Sequence, residues 1–243
     1  MVYVFFSDIH ANLYAWQSAK RKLLALKPDK IVYLGDIVGY GPRPQECWEE
    51  LMQVNPVLIG GNHDWAAGGR ISKENFSFLA RTAIEWTETK LNAAIKEKLG
   101  KLELVWQEEN LKAVHSSLFC PADFLYLDNR YILEENFQLM GESEICFVGH
   151  THIPAVFTLR PRQIEYRRGV GKIKLQQRLK HIVNVGSIGQ PRDRDPRGCM
   201  CLYDSKRREV EFVRITYDVK KTQREILHAG LPELLAARLE KGW

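Results

Sequence analysis

The chain has 243 residues, 45% of them hydrophobic and 27% charged, with a net charge of +5. That length buries a sizeable core and the balance is ordinary for a globular protein, while so modest a positive charge does not single out nucleic acid among anionic partners. No apolar run approaches the ~20 residues of a membrane span, and residues 1–8 lack the length and basic flank of a signal peptide.

In chain order, short apolar runs at 2–6, 31–34, 57–59, 111–114 and 145–148 are strand candidates, rich in β-branched and aromatic residues. A helix is predicted after the first, with Leu13, Trp16, Ala19, Leu23 and Leu26 at three- and four-residue spacing. A second follows Pro42-Arg43-Pro44 and buries Cys47, Trp48, Leu51 and Met52, since proline is tolerated where a helix starts. A longer helical region is predicted over about 74–99, with Phe76, Leu79, Ala83, Leu91 and Ile95 on its apolar face. The second half changes character. Strands are expected at 155–159, 181–185, 200–203 and 210–215, a hairpin tip at 166–171, and a last helix near 219–228. Alternation followed by a strand-rich half suggests two packed sheets with helices outside, in one domain over 1–243.

Five cysteines form no pairwise pattern, which suits a reduced, cytoplasmic protein. Cys199 and Cys201 have the look of a metal pair, but alternate positions on one face of a buried strand are the preferred explanation. Residues 160–180 hold eight basic side chains and one acidic one. Such a segment is either a charged sheet edge that discourages aggregation or a track for nucleic acid. With Tyr166 as its sole aromatic residue, the edge reading is preferred.

Five of the seven histidines fall in short motifs placed behind the strand candidates. Asp8 and His10 follow the first, Asp36 the second, and Asn62, His63 and Asp64 the third. His115 follows the fourth, and His150 and His152 the fifth. Open α/β sheets place ligands at the carboxyl ends of their strands, so these segments converge on one crevice. Gly35, Gly60, Gly61 and Gly149 precede them, where a chain must turn sharply close to an ion. Nitrogen and oxygen donors without thiolate suit Mn²⁺, Fe²⁺ or Zn²⁺.

These motifs, D-x-H, G-D, G-N-H-D, H and G-H-x-H in order, resemble the calcineurin-like metallophosphoesterase superfamily. The stretches LGDIVGYGPRP (34–44) and VNVGSIGQPRD (183–193) are similar to its compact prokaryotic branch. The resemblance implies a four-layer α/β-β/α sandwich of two mixed sheets flanked by helices. It also implies a metal-dependent hydrolase in which Asp8, His10 and His152 hold one divalent ion, Asn62, His115 and His150 hold another, and Asp36 bridges them. Two such ions outweigh both carboxylates and a bridging hydroxide, so the site attracts a phosphate ester, whose phosphorus the hydroxide attacks directly. His63 is implied to be catalytic: a protonated imidazole there donates to the leaving oxygen. Asp64 either orients His63 or caps the loop. Ser116 departs from the family, which has glycine after the fourth-motif histidine, and a side chain there affects access to the second ion.

Tyr40, Arg43 and Arg192 are candidate substrate-binding residues, because arginine's planar fork suits phosphate. The partner expected is a small phosphodiester or phosphomonoester, a nucleotide among the candidates. A nuclease using 160–180 is the first alternative, and a non-catalytic interaction scaffold of the same fold the second.

Overall fold

The computed structural model describes residues 1–243. Alternation in the first strand, β1 (Val2–Phe6), decides where the layers go: Tyr3 and Phe5 face one side, Val4 and Phe6 the other, and all four are buried. A strand buried on both faces must be covered on both. On one side lies α1 (Leu13–Leu26), whose Ala15, Trp16, Ala19 and Leu23 join Val4 and Phe6 in one apolar cluster. On the other lies a second sheet, met through Phe5 and Phe147, whose stacked rings have centroids 3.7 Å apart.

The first half continues with β2 (Lys30–Tyr33), α2 (Pro44–Met52), β3 (Val57–Leu58), α3 (Asn62–Ala67), α4 (Phe78–Lys90) and α5 (Ala93–Gly100). Then come β4 (Val105–Glu108), β5 (Leu111–Val114), α6 (Arg130–Leu139), β6 (Ile145–Val148), β7 (Ala155–Arg160), β8 (Gln163–Arg168), β9 (Gly171–Lys174) and β10 (His181–Asn184). β11 (Gly198–Asp204), β12 (Glu209–Ile215), α7 (Val219–His228) and α8 (Glu233–Lys241) close the chain. One sheet has the order β3-β2-β1-β11-β12-β9 and the other β4-β5-β6-β10-β7-β8. Within them β1, β2 and β3 run parallel, as do β5, β6 and β10. Helix α6 covers the outer face of the second sheet, packing Ile132, Leu133 and Phe137 on Cys146 and Val148. The architecture is therefore the four-layer α/β-β/α sandwich. No helix is long and apolar enough to cross a membrane.

Cys199 and Cys201 both lie between the sheets, while Met200 faces the helices. The pair is strand core. The helical region over 74–99 is two helices: Leu91 is extended, with φ −90° and ψ 138°, and Asn92 caps α5 by accepting from the Ile95 N–H. Met52 is half-exposed, on the outer side of α2. The hairpin tip lies at 161–162 rather than 166–171, because Tyr166 pairs with Phe157 across β7 and β8. At 169–170 the chain instead crosses from one sheet to the other. β8 and β9 are edge strands of different sheets, so the basic segment runs along two edges. There Arg160 pairs with Glu165 and Lys172 with Glu211.

Candidate metal centre

The parallel strands bring the motif residues together at their carboxyl ends, and the backbone there is bent hard. Asp8, His10, Asp36, His150 and His152 have φ of 57°, 46°, 62°, 64° and 61°. For side-chain-bearing residues this left-handed region costs about 1–3 kcal/mol each and persists only where the surroundings enforce it. Two glycines make room. A Cβ on Gly61 would stand 2.0 Å from Asp36 Oδ1, and Gly39, at φ 84°, would place one 2.2 Å from His63 Nδ1.

Backbone carbonyls orient three of the imidazoles. His10 Nδ1 lies 3.0 Å from the Val38 carbonyl, His115 Nδ1 2.7 Å from that of Leu34, and His152 Nδ1 2.5 Å from that of Gln190. A carbonyl only accepts, so each Nδ1 carries a proton, and once Nε2 is deprotonated each ring presents that bare nitrogen to the centre, the arrangement that metal-binding histidines use. Those Nε2 atoms approach the carboxylates: His152 lies 3.2 Å and His10 3.7 Å from Asp8 Oδ1. Asp36 Oδ2 stands between His115 Nε2 at 3.3 Å and His10 Nε2 at 3.8 Å.

This donor set fits divalent cations. His10 Nε2 and His152 Nε2 are 3.2 Å apart, and two lone pairs at that distance repel. Two nitrogens on one ion, each at roughly 2.0–2.1 Å, would sit about 3 Å apart at a right angle. Asp8 Oδ1, Asn62 Oδ1 and His150 Nε2 are buried without a hydrogen-bond partner, where an unsatisfied polar atom is costly. Clusters of ligand atoms form at Asp8, His10 and His152, at Asp36, His115 and His150, and at His10, Asp36 and His63. Burial pushes the Asp36 and Asp8 carboxyls up, but His115 and His152 respectively outweigh it and hold both ionised. Burial pulls His150 down to about 3, so it is neutral. Burial also lowers His115, but the Asp36 carboxylate reverses this and raises it to about 9. Cations and protons therefore compete for that ring.

The Gly-Asn-His-Asp motif divides. Asn62 opens α3 and points into the cleft. His63 donates its backbone N–H to Asp36 Oδ1 at 2.9 Å, and its ring packs edge-on against His10 and Phe76. Burial, helped by Arg192, pulls its imidazole down to about 4, so at neutral pH it is a neutral ring and not the protonated one implied by the resemblance. Asp64 does not orient it, for His63 Nδ1 has no partner. Asp64 instead gathers the N–H groups of Asp36, Ile37, Val38 and Gly61, at 2.7, 2.8, 3.4 and 3.1 Å. Burial and the Asp36 carboxylate push its carboxyl up, although only the carboxylate satisfies all four donors. It is a loop clamp.

A cleft of about 780 Å³ opens over these residues, within the range of small-molecule sites. Tyr40 and Arg192 line it. Arg43 does not: Glu225 and Glu46 hold its guanidinium around the start of α2, so its place in the sequence beside the Gly-Asp motif misleads. None of the basic residues of 160–180 lines the cleft. Ser116 donates to the Leu125 carbonyl and so tethers a loop whose Phe124 packs against His115 and whose Tyr126 ring lies 4.2 Å from that of His150. Sequence reasoning passed over this aromatic wall and Phe76 opposite. It also missed how 184–190 braces the ligand loops. Asn184 donates to the Gly149 carbonyl, Ser187 to that of Asp8, and Gln190 accepts from His152. The polar residues in the Val-Asn-Val-Gly-Ser-Ile-Gly-Gln stretch are the signal that could have found them.

Stacked mixed sheets that gather buried imidazoles and carboxylates at their strand ends define an α/β protein with a candidate metal centre. The chain belongs to the calcineurin-like phosphoesterase superfamily, whose domain profile matches residues 1–208. It is therefore a metal-dependent phosphoesterase. An uncharacterized protein of Methanocaldococcus jannaschii is 35% identical over 241 residues, covering 97% of this chain and 96% of the relative. A metallophosphoesterase from Sphaerobacter thermophilus superposes with a TM-score of 0.84 at 36% identity, over 100% of this chain and 99% of that one. A hypothetical protein from Pyrococcus horikoshii shares the fold, with a TM-score of 0.82 at 22% identity over 100% and 98% of the two chains.

Proposed function

We propose that the chain hydrolyses small phosphodiesters or phosphomonoesters at a dinuclear centre. Asp8, His10 and His152 would hold one divalent ion, Asn62, His115 and His150 the other, and Asp36 would serve both. The observation that carries this reading is the position of Asp36 Oδ2, between His10 Nε2 and His115 Nε2. When bound, two such ions (Mn²⁺, Fe²⁺ and Zn²⁺ all suit the donors) supply an acidified water and a positive clamp for phosphoryl oxygens.

The protein's own groups do the rest. The carbonyls of Val38, Leu34 and Gln190 keep the Nε2 atoms aimed inward. His63, neutral at rest, offers a ring N–H to the leaving oxygen, and the charge of a bound phosphate raises its affinity for a proton. Arg192 and Tyr40 bind the substrate from the side, while Phe76, Phe124 and Tyr126 suit a planar leaving group such as an aryl ring or a nucleoside. Displacement goes directly to water, without a covalent enzyme intermediate.

The test is turnover of bis-p-nitrophenyl phosphate and p-nitrophenyl phosphate with Mn²⁺. Asp36→Asn should abolish it, and His63→Ala should lower it about 10²–10⁴-fold with little loss of metal. Wild-type turnover by His63→Ala would remove that residue from the chemistry.

A further inference from the structure

Arginines withdrawn from solvent ordinarily hold a carboxylate. Arg208 and Arg214 do, on Glu144 and Asp193 respectively. Arg192 and Arg238 are also partly buried, yet neither has a carboxylate oxygen within 4.0 Å. Both turn instead onto one neutral acceptor, the Gln190 side-chain oxygen, with Arg192 Nη2 at 2.9 Å and Arg238 Nη1 at 3.4 Å. Each guanidinium carbon also lies 5.9 Å from the Tyr40 ring centroid. Arg238 Nε is buried and has no partner.

Two like charges brought together and partly dehydrated destabilise the protein unless an anion joins them. Burial and the Arg192 charge together lower the Arg238 pKa, which reflects that cost. The pair stands beside the candidate metal centre. The Tyr40 ring packs on those of His10 and His63, at 4.6 and 4.5 Å, and Gln190 is the residue whose backbone carbonyl orients His152. Arg192 lines the cleft, and Arg238 reaches the pair from α8, outside the residues that the superfamily profile matches. An anion held by both forks would lie beside Tyr40.

We propose that Arg192 and Arg238 form a second-phosphate site, so that the preferred substrate carries another phosphate group adjacent to the one hydrolysed. This rests on the phosphoesterase reading for the group hydrolysed, but the anion site has its own readout. Planar guanidinium forks match the terminal oxygens of a phosphate, and two of them contact it from different sides.

Calorimetry on the Mn²⁺-loaded protein, with the methylene-bridged analogue of ADP and with AMP as probes, tests it. The wild type should bind the diphosphate roughly tenfold or more tightly than AMP, as charged hydrogen bonds to the extra group imply. Arg238→Met should bring that ratio to within about threefold, and Arg238→Lys should fall between, since lysine keeps the charge without the fork. Equal binding of both probes by the wild type would overturn the proposal, whatever becomes of the variants. So would an undiminished ratio in an Arg238→Met variant that melts at or above the wild-type temperature. A preference that Arg238→Met abolishes, in a protein that turns over no phosphate ester, would support the anion site and overturn the phosphoesterase reading.

Discussion

Asp64→Asn tests whether this carboxylate holds the site together or takes part in its chemistry. Its Oδ2 accepts from the Asp36 and Gly61 N–H groups, and its Oδ1 from those of Ile37 and Val38. Asparagine keeps one oxygen and turns the other into an amide donor, which must then face buried N–H donors. A hydrogen bond to a charged acceptor contributes about 1.5–3 kcal/mol, and orphaning a buried donor costs a similar amount. The amide turns to the side that loses least, towards Ile37 and Val38, and with the 3.4 Å contact discounted as weak one strong bond is at stake. The expected loss is about 1.5–3 kcal/mol, a substantial part of the ~5–15 kcal/mol that holds a typical domain together. Urea unfolding of the chelator-treated protein reads this directly, as a lower midpoint at unchanged slope. A variant that unfolds at the wild-type midpoint but has lost turnover would refute the reasoning and restore Asp64 as the partner of His63.

Other residues give equally specific outcomes. Gly61→Ala should lower the metal content of the isolated protein, because its Cβ would sit 2.0 Å from Asp36 Oδ1; full metal content by mass spectrometry would contradict this. His181 is a structural histidine, with Nε2 donating to the Gln176 carbonyl and Nδ1 accepting from Thr158, and burial holds it below its ordinary 6.5. The unfolded chain therefore takes up this proton first, so stability is unaffected above about pH 6.5 and declines below it by up to about 1.4 kcal/mol per pH unit. His181→Gln should flatten that acid slope in denaturation curves, and an unchanged slope would count against this account of the residue. Ser116→Gly should free the loop over 122–126, seen as faster amide exchange there than in the wild type. Equal exchange would mean that the Ser116 hydroxyl does not tether it.

The candidate ligands are legible in the sequence because each follows a strand whose apolar residues announce it. Asp8 comes behind β1, Asp36 behind β2, and His150 and His152 behind β6. The sandwich is legible for the same reason, since β1 and β6 are apolar at consecutive positions and so are covered on both faces. What local text does not reveal is which distant group a polar side chain meets. Asp64 reads as readily as a partner for His63 as it does for the loop at 36–38 that it actually clamps. Arg43 follows a metal-binding motif, yet its guanidinium is taken by Glu225 from α7. Arg238 belongs to no motif, and only the packing of α8 carries it to Gln190. The break at Leu91 is hidden because apolar spacing continues across it, whereas the Asn92 cap was there to be read.

The central claim is a centre of two cations bridged by Asp36, and one titration tests it most directly. Mn²⁺ is added to chelator-stripped protein while turnover of bis-p-nitrophenyl phosphate is followed. The account predicts that activity rises to a plateau at two equivalents of metal per chain. Saturation at one equivalent, or no turnover at any loading, would contradict it.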